Sequence, residues 1–107
     1  MKPKPKYQRV LDAVEKGDDA KMKAFGRSMV PLIDNGSVLT YRATNDYKIG
    51  DVVFCKVKGR LIAAHKIIKI DEKGRCMIAN NKGRENGWAS KIFARVVAIN
   101  GEPFGRK

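Results

Sequence analysis

Residues 52–70 read VVFCKV-KGR-LIAAHKIIKI, and this stretch decides the fold. The runs on either side of Lys58-Gly59-Arg60 are rich in β-branched residues, which favour extended backbone. The short linker between them contains glycine and is typical of a tight hairpin turn. We therefore predict two neighbouring antiparallel strands, Val52–Val57 and Leu61–Ile70.

Further runs of the same kind lie outside this hairpin. Clusters rich in Gly, Asn and Asp separate them, and such clusters mark turns. The additional predicted strands are Val38–Arg42, Cys76–Ala79 and Ile92–Ile99, and the turn clusters lie at residues 34–36, 48–51, 71–74 and 80–87. The sequence thus predicts a mostly antiparallel β core over residues 26–100.

The N-terminal region has a different pattern. Alternating lysines, with prolines at positions 3 and 5, predict a disordered basic arm over residues 1–6. A short helix is predicted next, because four apolar residues recur at helical spacing, namely Tyr7, Val10, Leu11 and Val14. Gly17 can end this helix as a left-handed cap.

Asp18 and Asp19 can cap a second helical turn that extends to Phe25. We therefore expect short helices over residues 7–25, ahead of the β core, in a single domain spanning 7–107. A helix-turn-helix is the less favoured alternative, because no third helix is predicted to complete its core.

The charge of the chain is strongly positive. Its 107 residues include 23 Lys and Arg against 11 Asp and Glu, which gives a formal net charge of +12. This balance predicts attraction to polyanions such as nucleic acid. Because the cations are spread along the chain, the contact we expect is nonspecific rather than a readout of base sequence.

The composition also excludes some classes of protein. Two cysteines, Cys55 and Cys76, and a single histidine are too few for a structural zinc site, so we predict no metal and no cofactor. Both cysteines are predicted to be reduced, buried thiols. No run approaches the roughly 20 apolar residues of a membrane helix, and no secretory signal is recognisable. We therefore expect a cytoplasmic protein, whose oligomeric state the sequence leaves open.

Ser28 lies in a turn that can aim its hydroxyl, because Gly26 permits unusual φ angles and Pro31 fixes its own φ. A serine becomes a nucleophile when a base lies within hydrogen-bond reach. Regular strand alternation would place His65 on one face with Leu61, Ala63 and Ile67. Lys66 is the competing base, on the opposite face unless a β-bulge intervenes.

These motifs resemble the serine peptidase superfamily that contains signal peptidases and the self-cleaving domains of SOS repressors. The shared signature is a Ser-Met-x-Pro turn, a Gly-Asp before an apolar strand, and a hairpin whose second strand carries the base. The matching segments are Ser28–Pro31, Gly50–Phe54 and Gly59–Ile67. A histidine at position 65 makes the chain similar to the histidine type of this superfamily, and its asparagine-rich segment after residue 80 is similar to small phage-encoded members.

The resemblance implies a fold and a set of roles. Ser28 would be the nucleophile and His65 the base, and the backbone N–H of Ser28, with that of Arg27 or a nearby residue, would form the oxyanion hole. An extended peptide or protein substrate would bind as an added strand near residues 24–28 and 61–65. The substrate-binding residues implied in this way are Gly26, Met29, Pro31 and Ala63.

Two departures from the family pattern affect the predicted activity. Ala79-Asn80-Asn81 stands where the membrane enzymes carry a Gly-Asp that supports the base, so neutral amides replace an acid. Only 27 residues precede Ser28 and no Ala-Gly bond occurs, so repressor-style self-cleavage is not expected. The alternative function is a non-catalytic basic module that contacts nucleic acid or another protein.

Overall fold

The computed structural model describes residues 3–106, which contain one helix and eight strands joined by turns and loops. Their bounds are α1 Pro5–Glu15, β1 Ala20–Lys23, β2 Val38–Arg42, β3 Val52–Val57, β4 Arg60–Ile70, β5 Cys76–Ala79, β6 Glu85–Trp88, β7 Lys91–Ile99 and β8 Glu102–Pro103. The predicted fold class, a mostly antiparallel β fold with a helix at its N-terminal end, is confirmed.

The strands form one sheet in the order β1-β2-β7-β3-β4-β5-β6, and β8 pairs with β7. Every pairing is antiparallel. The predicted β3–β4 hairpin is present, and both Lys58 and Gly59 have positive φ, at 51° and 80°. A two-residue hairpin loop with a type I′ turn requires positive φ at both of its central residues.

Two apolar clusters pack against the sheet, and β3 contributes to both. In the first, Phe54 is fully buried, and its ring lies 5.5 Å from Tyr7 and Phe93 and 5.8 Å from Tyr41, between ring centroids. Helix α1 covers this cluster with Val10 and Val14. The second cluster consists of Val53, Cys55, Val57, Ile67, Cys76 and Ile78.

The two cysteines both lie in the second cluster as free, buried thiols. Burial, together with the neighbouring Cys76, raises the pKa of Cys55 to about 12. Its thiol therefore stays protonated near neutral pH, and Cys55 is unsuited to act as a thiolate nucleophile.

The predicted second helix is wrong, because Ala20–Lys23 forms strand β1 and pairs with β2. Met22 is buried while Lys21 and Lys23 are exposed, which is the two-residue period of a strand. The helix-turn-helix alternative is therefore wrong as well, because the described residues contain only one helix ahead of the sheet. Strand β6 was also missed, since it lies within the stretch predicted to be a turn.

The predicted arm over residues 1–6 needs correction as well. Helix α1 already begins at Pro5, because proline is tolerated in the first turn of a helix, where its missing N–H has no intrahelical acceptor. Residues 1 and 2 lie outside the described residues. Within residues 3–106, no helix has both the length and the apolar character needed to cross a membrane.

We expect Phe54→Ala to lower the free energy of unfolding by about 3–5 kcal/mol, because it removes a buried ring that three other aromatic rings contact. Urea denaturation followed by circular dichroism measures this loss. Ile49→Ala is the control, since Ile49 is 63% exposed and its truncation should change stability by no more than about 0.5 kcal/mol. Equal losses in the two variants would contradict the described core.

Candidate active site

Two apolar side chains of the Ser28 loop are buried in the first apolar cluster. Met29 and Ile33 are each only 4% exposed, and the N–H of Ile33 donates to the carbonyl of Met29 at 2.8 Å. Gly26 enters the loop at φ +92°, and its N–H donates to Asn35 Oδ1 at 2.9 Å. With both ends held, Ser28 lies on the exposed side of the turn.

A β-bulge in β4 sets the direction of His65. Val53 lies opposite His65 and the next residue, Phe54, lies opposite Ala63, so Ala64 is the extra residue on β4. The predicted strict alternation is therefore wrong beyond Ala63, and Ile67 belongs to the second cluster instead of sharing a face with Ala63.

The bulge does not make Lys66 the partner of the serine, although the sequence left that possibility open. Ser28 Oγ lies 2.9 Å from His65 Nε2, across 37 residues of sequence. Lys66 Nζ instead donates to Asn81 Oδ1 at 3.4 Å. The structure thus brings together the serine and the histidine that the sequence singled out.

Asn86 holds the other side of the imidazole. Its Oδ1 lies 2.7 Å from His65 Nδ1. An amide oxygen only accepts hydrogen bonds, so in this arrangement Nδ1 carries the proton and Nε2 has the free lone pair. The Ser28 hydroxyl can then donate to Nε2. A general base needs an unprotonated nitrogen in this position.

The sequence reasoning missed Asn86 and considered Asn80 and Asn81 instead. Asn80 shapes the β5–β6 turn, because its Oδ1 accepts from the N–H groups of Lys82 and Arg84. Asn81 holds the Ser28 loop: its N–H donates to the carbonyl of Ser28 at 3.0 Å, and its side-chain amide donates to the carbonyl of Val30 at 3.3 Å.

The spacing around Asn86 carried a signal that could have found it. Asn86 comes five residues after Asn81 in the same hairpin and immediately before Gly87, a residue that marks a close approach in a strand. Gly87 has φ +131°, and a Cβ there would lie 3.1 Å from Val57 Cγ1 and 3.3 Å from Lys58 Cε. A side chain at position 87 would therefore strain the backbone and crowd Val57 and Lys58, so a glycine favours the close approach of β6 to β3.

The backbone N–H groups around the serine differ in whether they form a hydrogen bond. Those of Arg27 and Ser28 have no hydrogen-bond partner among residues 3–106, whereas the N–H of Gly26 is already used by Asn35. These are the two groups that the resemblance implied for an oxyanion hole.

A small cavity of about 20 Å³ opens beside Ser28. Gly26, Met29 and Ala63, three of the residues implied to bind substrate, line it. Pro31 is not among its lining residues and is exposed in the following turn. In residues 3–106, no group of three or more His, Cys, Asp or Glu side chains could hold a metal ion.

The comparison with protein families agrees with this arrangement. The model of the family described as Peptidase S24-like matches residues 4–101. The chain belongs to the Peptidase S24-like family. The resemblance found from the sequence motifs is therefore confirmed at the level of the family, and membership supports a peptidase or self-cleaving activity. A search of curated proteins returned no match to the chain.

We expect ¹⁵N NMR to show His65 predominantly as the Nδ1–H tautomer in the wild-type protein, because Asn86 accepts from Nδ1. The spectrum is unambiguous since the chain has one histidine. Asn86→Ala should shift the imidazole toward a mixture of tautomers, whereas Asn86→Asp keeps an acceptor and should preserve Nδ1–H.

Asn45→Ala removes an exposed amide elsewhere and is the matched control, which should leave the tautomer unchanged. A wild-type spectrum dominated by the Nε2–H tautomer would contradict the role of Asn86.

Proposed function

We propose that this chain is a serine peptidase that hydrolyses a peptide bond with Ser28 as nucleophile and His65 as general base. One observation carries the proposal: Ser28 Oγ, the imidazole of His65 and Asn86 Oδ1 form a hydrogen-bonded line with distances of 2.9 and 2.7 Å. A nucleophile, a base and a group that orients the base are the parts that covalent catalysis requires.

The first half of the reaction forms an ester. Ser28 Oγ attacks the carbonyl carbon of the peptide bond while its proton moves to His65 Nε2. The resulting tetrahedral intermediate collapses, the C–N bond breaks, and the leaving amine takes the proton from Nε2. The products of this half are a free amine and an acyl group on Ser28.

Water completes the cycle. It attacks the ester carbonyl, and His65 Nε2 accepts its proton. When the second tetrahedral intermediate collapses, the bond between Ser28 Oγ and the acyl carbon breaks and Oγ recovers the proton. The enzyme returns to its starting state and releases a carboxylic acid.

The oxyanion of both intermediates would be held by the N–H groups of Arg27 and Ser28, which have no other partner in residues 3–106. Hydrogen bonds of this kind act mainly on the transition state, and removing one such donor typically costs about 2.7–4 kcal/mol of stabilisation.

A free strand edge can hold the substrate. On one side, residues 60–66 of β4 pair with β3, while β5 pairs with β4 only from Lys66 onward. Among the described strands, none covers the other edge of Arg60–His65, so an extended peptide can add there through backbone hydrogen bonds. The cavity of about 20 Å³ beside Ser28 then favours a small side chain next to the scissile bond.

The alternative function, a non-catalytic basic module, draws on the net charge alone. It gives no reason for a serine hydroxyl, a single histidine and an amide to align across three separate elements. The peptidase proposal accounts for that alignment and is consistent with family membership.

We expect a fluorophosphonate probe to label the wild-type protein on Ser28, because His65 can accept the hydroxyl proton as phosphorus is attacked. Ser28→Ala should abolish the labelling, and His65→Ala should slow it by a factor of about 100 or more, the usual contribution of a general base. Intact-protein mass spectrometry measures the adduct.

Ser90→Ala is the matched control for this labelling, since Ser90 is exposed and its hydroxyl donates to the carbonyl of Lys56. It should be labelled at the wild-type rate. Labelling that persists in a folded Ser28→Ala protein would contradict the assignment of the nucleophile.

We expect a proteome-derived peptide library to show cuts with the wild-type protein that are missing with Ser28→Ala. Small residues such as Ala, Gly and Ser should be enriched on the acyl side of those cuts, because the cavity beside Ser28 has room for little more than a methyl group. Mass spectrometry of the new termini provides the measurement, and enrichment of large aromatic residues there would contradict the assigned pocket.

A further inference from the structure

Two depressions flank the β3–β4 hairpin next to the candidate active site. They have volumes of about 520 and 500 Å³, lie on opposite faces of the hairpin, and meet at Arg60 and Leu61. The first part begins at Asn86, which also bonds His65, and the second ends at Tyr7 and Phe93. We call the two parts together the hairpin groove.

The rim of the hairpin groove is positively charged. Four exposed cations line it, namely Lys4, Lys56, Lys58 and Arg60. None of the four forms an ion pair with a carboxylate of residues 3–106, although Arg42, Arg75 and Arg106 each pair with an aspartate elsewhere. No Asp or Glu lines either part, and Glu15 belongs to the neighbouring depression beyond Phe93.

The floor of the groove is apolar. Leu61 lines both parts and packs with the first cluster, whereas Ile62 lines only the part beside Asn86 and packs with the second cluster; both side chains are half-buried. An occupant that matches both features carries negative charges together with apolar side chains, so charge complementarity selects an acidic polypeptide segment.

The aromatic rings at the far end favour a peptide over a nucleic acid. Tyr7 and Phe93 each pack against Phe54 at 5.5 Å, and Lys6 and Lys91 lie 5.3 Å from their ring centroids. Because neighbours already flank both rings, they offer poor platforms for stacking unpaired bases.

The free edge of β4 links the groove to the reacting groups. A strand that pairs along this edge, starting at His65, reaches Arg60 after about five residues, or roughly 17 Å at the rise of a β-strand. A substrate held beside β4 therefore passes into the basic rim a few residues from the bond to be cut.

We propose that the hairpin groove binds an acidic segment of the protein substrate, about five residues from the scissile bond. The proposal rests on the proposed peptidase function, because it makes the occupant part of the polypeptide that Ser28 attacks. It assigns Lys58 and Arg60 to substrate selection and gives them no part in the chemistry.

The test measures binding to the Ser28→Ala protein, so that it does not depend on cleavage. The probe is a fluorescein-labelled peptide of alternating Glu and Leu residues, and its binding is followed by fluorescence anisotropy at an ionic strength of about 0.1 M, where the Debye length is about 10 Å. Adding Lys58→Glu and Arg60→Glu together should weaken its binding at least about tenfold, because two attractions become repulsions.

The matched control carries Lys21→Glu and Lys69→Glu, which change the net charge equally at exposed positions outside the groove. It should bind the peptide within about twofold of the Ser28→Ala parent, since rim charges act mainly over a Debye length. Equal weakening in both charge variants would overturn the proposal, because the attraction would then be nonspecific.

A labelled oligothymidylate is the second probe. If it binds more tightly than the peptide and loses that affinity in the Lys58→Glu, Arg60→Glu variant, the groove is a nucleic-acid surface and the proposal is overturned. Weaker oligothymidylate binding that both charge variants reduce alike supports the acidic peptide as occupant.

Failure of this proposal differs from failure of the proposed function. Fluorophosphonate labelling of Ser28 without any preference for the acidic peptide overturns the groove alone. Peptide binding without labelling of Ser28 overturns the peptidase, and with it the assignment of the acidic segment to a substrate.

Discussion

The structure depends on the burial of β3 on both of its faces. Every residue of this strand except Lys56 is buried, and alternate side chains enter different apolar clusters. A strand in this position cannot shift by one residue without exchanging its two faces, so its pairing with β4 and β7 is tightly specified. Because β4 carries His65, the core of the protein also sets where the candidate base lies.

The candidate site forms where three elements meet that are distant in sequence. The loop after Gly26 supplies Ser28, strand β4 supplies His65, and the β5–β6 hairpin supplies two asparagines that contact different partners. Asn81 holds the backbone of the loop, while Asn86 holds the imidazole. The hairpin thus fixes Ser28 and His65 relative to each other, so the hydrogen bond between them is already in place in the described structure.

The sequence predicted most of the β fold because apolar β-branched runs and glycine-rich turns are strong local signals. Five strands between residue 38 and residue 99 were predicted within one residue of their observed bounds: β2, β3 and β5 match, and β4 and β7 each begin one residue earlier than predicted. Strands β1 and β6 were missed because they are short and polar, as in Glu85-Asn86-Gly87-Trp88, and only their partners in the sheet make them strands.

The candidate site was predictable only in part, because its residues differ in how strong their local sequence signals are. Ser28 and His65 stand in motifs whose residue types and order are specific, so the pair could be named from the sequence. Asn86 was not named, because the local signal beside it, Gly87, marks a close approach without saying which element comes near. The bulge at Ala64 was also hidden, since strand periodicity assumes that every residue is paired.

The neutral side chain behind the histidine has a further consequence. An aspartate offers only acceptor oxygens, but an amide has an acceptor at one end and a donor at the other. Turning the Asn86 amide end for end would present its NH₂ group to Nδ1, move the ring proton to Nε2, and leave the serine facing a donor. The orientation of one amide group therefore decides whether the Ser28 hydroxyl faces an acceptor or a donor nitrogen, whereas an ionised carboxylate in the same place would only accept from Nδ1.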